Sequence, residues 1–220
     1  MRLIVILATL VAVCAVGPAL AQSSHGPMPT MQSCDPITQE PFLKTALAGA
    51  QALALVALNT LNNTPASARP TATRYLHWFG AYNAANYAIA VKNFTAVNDA
   101  LTNKTITFNC GGRRCDKDDS AYTYSWEPYV IYPCPRFWNK KPVATTNSQG
   151  GVIIHEISHF RVVADTDDVS NSVCTTSGFL GLWHTCYGQP DATALANKDP
   201  AQALRNADNY EYYAENIPFE

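Results

Sequence analysis

The chain has 220 residues, with 15 basic and 17 acidic side chains and a net charge of −2. Only 15% of its residues are charged, so it carries no basic footprint for nucleic acid. The length suits one domain with a full hydrophobic core rather than a string of small modules.

Residues 1–21, "MRLIVILATLVAVCAVGPALA", place one basic residue, Arg2, before an apolar run that ends in Ala19-Leu20-Ala21. That order is the form of a cleaved secretory signal. The run is short for a membrane span and has no basic stop on its far side. No second apolar span is read in the sequence, so a soluble, secreted product that leaves the membrane after cleavage is expected. Removing residues 1–21 from the 220 leaves 199.

Residues 22–33 form a polar, Pro-containing N-terminal arm, and one domain is expected over 34–220. From Gln39 to Asn62 the Ala/Leu-rich pattern has helical spacing and predicts a long, largely buried helix. Residues 73–80 ("TRYLHWFG") and 83–103 read as a short and a longer helix, separated near Gly80. Between 105 and 134, "TITFNC", "AYTYSW" and "YVIYPC" are rich in β-branched and aromatic residues and predict a small antiparallel sheet. Helix returns over 148–163, followed by a polar loop over 164–186. Two helices, broken near Asp199-Pro200, complete the chain. The fold class expected is α+β, a mostly helical single domain.

Six cysteines follow the signal: Cys34, Cys110, Cys115, Cys134, Cys174 and Cys186. An even count in an oxidising compartment predicts three disulfides, with the pairing open. Sequons at Asn62, Asn93 and Asn103 are candidate glycosylation sites.

The segment 152–160, "VIIHEISHF", carries the chemistry. His155 and His159 are four apart, so on a helix both imidazoles share one face and can reach one metal ion. Glu156 sits beside the first histidine. In this His-Glu-x-x-His arrangement two neutral imidazoles bind zinc, and the glutamate takes a proton from water held by the metal. A tetrahedral catalytic site needs a third protein ligand. A third His spaced as in the metzincins is excluded, because Val162 and Asp165 occupy those positions. The candidates are Asp165, Asp167 and Asp168 in "ADTDDV", or Glu211 or Glu215 downstream.

"HEISHF", "TDD" and "YGQPDATALANKDPAQALRNADNYEYYAEN" resemble the aspzincins, the deuterolysin family of secreted fungal zinc metallopeptidases. "YLHWFGAYN", "CPRFW" and "SQGG" are similar to the peptidyl-Lys metalloendopeptidase branch. The resemblance covers roughly residues 34–216 and implies a zincin-like fold and one Zn2+ per chain. It implies hydrolysis of protein or peptide substrates on the amino-terminal side of Lys. The family pattern Gly-Thr-x-Asp-x-x-Tyr-Gly falls on Thr166, Asp168, Tyr187 and Gly188. By resemblance His155, His159 and Asp168 hold the metal, Glu156 is the base and Tyr187 donates to the oxyanion. Asp165 stands where the pattern has Gly, and residues 169–186 are an insertion between Asp168 and Tyr187. That insertion leaves Asp167 and His184 as rival ligands. Asn206-Ala207-Asp208 and Glu211 correspond to the branch's pocket for the residue after the cleaved bond, with Asp208 and Glu211 receiving the lysine. A helix-capping role for the same pair is the competing reading. The disulfides implied are Cys34–Cys110, Cys115–Cys134 and Cys174–Cys186.

A monomer is expected, and the short stretch from Ala21 to Cys34 offers no room for a long pro-segment. Two further readings stand beside the Lys-directed one. One is a deuterolysin-like peptidase of broader preference, and the other is a secreted zinc-binding relative without turnover.

Overall fold

The computed structural model describes residues 26–144, 146–175 and 184–215. The signal segment, residues 1–21, lies outside the described residues.

Helix α1 (Gln39–Asn63) is the spine of the fold. Leu43, Ala46, Leu47, Ala50, Ala54, Ala57 and Leu61 recur at helical spacing and are buried. Among the described helices α1 alone is long and apolar enough to cross a bilayer, but half of its apolar window is buried inside the protein. Its small residues let α3 (Ala84–Asn103) and α4 (Gln149–Ser158) pack closely against it. Gly150 of α4 sits where a Cβ would lie 2.9 Å from the Ala50 nitrogen, so only glycine permits this crossing. The short α2 (Thr73–Phe79) adds Tyr75, Trp78 and Phe79 to the same core.

The C-terminal segment forms three helices where two were expected: α5 (Gly188–Lys198), α6 (Pro200–Ala203) and α7 (Ala207–Glu215). Pro200 breaks the chain as expected, with the Asp199 side chain accepting the Gln202 N–H to cap α6. A further break at 204–206 turns α7 onto α4. Buried Arg74 closes the other end of α7, its guanidinium donating to the Tyr213 and Ala214 carbonyls.

The sheet has four strands in the order β1-β2-β4-β3. They are β1 (Thr30–Gln32), β2 (Thr107–Asn109), β3 (Ala121–Thr123) and β4 (Val130–Pro133). Only the β3–β4 pair is antiparallel; β1–β2 and β2–β4 are parallel. The sheet is therefore mixed. The β2-to-β4 connection crosses over through β3, which leaves β3 on the edge. Strand β1 comes from the arm expected to be loose. It is held by its pairing to β2 and by the Cys34–Cys110 disulfide just beyond both strands. The other two disulfides are Cys115–Cys134 and Cys174–Cys186.

The three sequons differ in setting. Asn62 and Asn103 are exposed. Asn93 is not a usable glycan site in this fold. It is 6% exposed, and its Nδ2, the atom a glycan would occupy, donates to Tyr210 Oη at 2.7 Å.

Candidate active site

All ten residues of α4 are buried. Ser148 caps its start by accepting the Gly151 N–H at 2.9 Å. Glu215 of α7 accepts the Asn147 and Ser148 N–H groups at 2.8 and 2.6 Å, an anion at the helix's positive end. Val152, Ile153, Ile154 and Ile157 anchor the helix in the core. The remaining face presents His155 and His159, whose ring centroids are 4.8 Å apart.

The His159 tautomer is set from behind. His159 Nδ1 lies 2.9 Å from the Thr166 carbonyl, which can only accept, so Nδ1–H donates and Nε2 keeps its lone pair. His155 Nδ1 lies 2.8 Å from Asp208 Oδ1, a close charge contact without hydrogen-bond alignment, and its Nε2 faces Asp168. Ser158 Oγ donates to the His155 carbonyl and pairs with Thr166 Oγ1 at 2.6 Å, which locks the helix end to the following loop.

That loop delivers the third group. Asp165 adopts φ 51, a left-handed turn at the position where the family pattern has glycine. Asp167 N donates to the Arg205 carbonyl and Ala207 N to the Asp167 carbonyl, so the loop is stitched to the α6–α7 turn. The stitching separates the two adjacent acids. The exposed Asp167 pairs with Arg205 at 2.5 Å, away from the imidazoles. Asp168 Oδ1 lies 3.2 Å from His155 Nε2 and 3.6 Å from His159 Nε2.

The donor atoms of His155, His159 and Asp168 lie within 4.8 Å of one another. A second group of possible donors, His155 with Asp208 and Glu211, forms on the far side of the His155 ring. His184, the rival ligand, belongs to neither group among the described residues. Two imidazoles and one carboxylate, with a fourth position open, fit zinc better than calcium or magnesium, which favour all-oxygen shells.

The electrostatics follow from burial around these charges. Burial works against a charged His155, yet Asp168 and Asp208 at its two nitrogens outweigh it and hold its pKa well above the usual range. His159 is pushed down by burial and by His155. Burial pushes the Glu156 carboxyl up to about 8, with His155 opposing and Asp168 adding. The Tyr187 ring is 6.5 Å from the His155 ring, and burial together with Asp168 raises its phenol.

The disulfide Cys174–Cys186 closes a loop within the insertion and ends next to Tyr187. Residues 176–183 of that insertion lie outside the described residues. The whole arrangement is tied at Asn206, which sequence reasoning read only as part of a pocket motif. Its Oδ1 accepts from Val169 N, beside Asp168, and its Nδ2 donates to the Cys186 carbonyl, beside Tyr187.

Asp208 and Glu211 come together as expected, and both are buried. Their roles differ. Asp208 is engaged at both oxygens, by His155 and by Gly188 N at 2.6 Å. Glu211 Oε2 lies 3.6 Å from His155 Nδ1, while its Oε1 is buried with no hydrogen-bond partner among the described residues. Lys140 supplies opposing charge to Glu211, Glu215 and Asp208.

Two imidazoles on one helix face, a buried glutamate beside the first, and a carboxylate from the next loop have the arrangement of a zincin-type metal site. The chain belongs to the aspzincin family. Its family model, described as "Lysine-specific metallo-endopeptidase", matches residues 64–178 and 181–215. An extracellular protease of Aeromonas hydrophila is 42% identical over 183 residues, covering 83% of this chain but 46% of that protein. This chain thus spans about half the length of that relative. A peptidyl-Lys metalloendopeptidase of Pleurotus ostreatus is 38% identical over 184 residues, covering 82% of this chain and 94% of that one. The solved structure of a zinc peptidase from Grifola frondosa superposes with a TM-score of 0.70 at 29% identity, covering 84% of this chain and 99% of that one.

Proposed function

We propose that the protein is a secreted zinc metalloendopeptidase that cleaves peptide bonds on the amino-terminal side of lysine. The observation that carries this reading is the convergence of His155 Nε2, His159 Nε2 and Asp168 Oδ1 beside a buried Glu156. Those three residues are the proposed ligands of one Zn2+. Bound zinc supplies Lewis acidity, polarising the scissile carbonyl and acidifying the attacking water.

Glu156 is the general base and takes a proton from that water. Having taken that proton, Glu156 is placed to return it to the departing amine nitrogen. Tyr187 donates its hydroxyl proton in a hydrogen bond to the developing oxyanion. The edge strand β3 aligns the substrate backbone by strand addition.

The lysine side chain is received by Glu211, whose Oε1 is a buried acceptor without a partner among the described residues, with Asp208 adding negative charge behind it. Burying an ammonium without a carboxylate costs several kcal/mol, so such a pocket selects lysine. The names of the Pleurotus relative and of the matching family model support the same preference. The proposed domain plan is a signal over 1–21, an arm over 22–33 and the catalytic domain over 34–220. The working form is proposed to be a monomer. The test is digestion of a denatured protein with cleavage sites mapped. Cuts before lysine that vanish with a chelator and return with zinc support the reading; chelator-resistant cuts overturn it.

A further inference from the structure

A cavity of about 420 Å3 opens beside the proposed metal ligands, lined by Arg114, Tyr122, Tyr124, Trp126, His159 and Asp168. Nothing in the proposed mechanism uses its aromatic wall. Trp126 is 65% exposed, an unusual placement for the largest apolar side chain. Its ring lies 5.1 Å from that of Tyr124, tilted by 34°. The Arg114 guanidinium stands 5.6 Å over the Tyr124 face. Tyr122 stacks on Tyr132 at 4.6 Å, and Tyr132 Oη donates to Glu127 Oε2 at 3.0 Å.

The wall is tied to the segment that follows α4. Ser125 O accepts the Arg161 N–H at 3.1 Å, just past α4, and Glu127 N donates to the Tyr124 carbonyl at 2.8 Å. It also continues β3, the edge strand proposed above to align the substrate backbone. The cavity lies on the His159 flank of the site, whereas Asp208 and Glu211 lie behind His155. A chain whose lysine sits at Glu211 therefore runs its preceding residues past this wall.

We propose that the cavity is a second substrate subsite, taking an aromatic side chain on the amino-terminal side of the cleaved bond, with Trp126 as the specificity-determining residue. The inference rests on the endopeptidase reading. Aromatic rings laid against Trp126 and Tyr124 gain offset-stacked contact and remove exposed apolar surface from water. The Arg114 cation over Tyr124 polarises the wall and keeps its ring in place.

The test uses peptides that differ only at single positions up to four residues before the cleaved bond, carrying Ala, Phe or Glu. Phe should exceed Ala in kcat/KM by about tenfold at one of these positions, the size expected for a stacked, buried ring. In Trp126→Ala that ratio should fall to near one. A flat profile, a preference for Glu, or a ratio insensitive to Trp126→Ala overturns the proposal. Affinity of the same peptides for zinc-loaded Glu156→Gln protein supplies a second readout. A Phe preference there without hydrolysis by the parent enzyme would leave the subsite standing and remove the endopeptidase reading. Cuts at bonds other than those before lysine would remove only the lysine preference, since the ratios are read about any bond cut.

Discussion

Asp208 holds His155 from behind: its Oδ1 lies 2.8 Å from His155 Nδ1, while its Oδ2 accepts the Gly188 N–H at 2.6 Å. One buried carboxylate thus joins a proposed metal ligand to the start of α5, one residue after Tyr187. A carboxylate behind a ligating imidazole fixes the ring's orientation and raises its basicity. Asp208 is placed to act through His155 more than through direct contact with substrate.

Asp208→Asn should therefore weaken zinc binding by about 10- to 100-fold, the usual cost of losing such a partner. Competition with a chromophoric chelator measures it. Unchanged affinity would show that His155 is oriented by the helix alone.

Glu156→Gln should leave zinc stoichiometry intact, because the side chain is a proton carrier and not one of the three converging donors. Turnover should fall by about a hundredfold or more, the lower range for losing a general base. Metal analysis and initial rates on one peptide decide it. A variant with near-normal kcat would remove the base from Glu156.

Much of this site was legible because its signals are local. The His155–His159 spacing needs only a helix, and the apolar run around it says which face is buried. The long helices followed in the same way, since α1 and α3 repeat their apolar positions over many turns. The parts that were not legible depend on contacts between distant segments. Strand β1 is three residues long and exists because β2 and a disulfide hold it, so the arm read as loose. The parallel β2–β4 pair is hidden because β3, which lies between them in sequence, pairs antiparallel with β4. Asn93 carries a sequon pattern, yet Tyr210 of α7 claims its amide. The double engagement of Asp208 depends on how α7 docks on α4, which no spacing within α7 encodes.

Asn206 is 1% exposed and bonds Val169 N, the Cys186 carbonyl and Asn209 Oδ1. Asn206→Ala leaves a buried N–H and a buried carbonyl without partners, costing about 1–3 kcal/mol each. Urea denaturation should show a loss of about 2–4 kcal/mol, as expected for breaking a buried network. Turnover at temperatures where the variant is folded should also fall, because Asp168 and Tyr187 are held from the same side chain. Full turnover in the folded variant would limit Asn206 to stability.

Glu211→Gln separates substrate recognition from metal binding. Glu211 Oε1 is buried without a partner among the described residues, whereas Asp208 lies against His155 Nδ1 through one oxygen and accepts the Gly188 N–H through the other. The amide keeps the shape of the pocket and removes the charge an ammonium requires. Cleavage before lysine should lose about a hundredfold in kcat/KM, roughly 3 kcal/mol, the scale for removing one partner of a buried charge pair. Zinc affinity should change far less than in Asp208→Asn, since the closest approach of Glu211 to His155 is 3.6 Å against 2.8 Å for Asp208. Cleavage before neutral residues should change little, which makes the lysine-to-neutral ratio the decisive quantity. In the parent protein arginine should be accepted less well than lysine, because a longer planar fork does not fit a site with a single open acceptor. If Glu211→Gln keeps its preference for lysine while Asp208→Asn loses it, the two carboxylates have exchanged roles. The Asp208–His155 contact would then have to open when substrate binds.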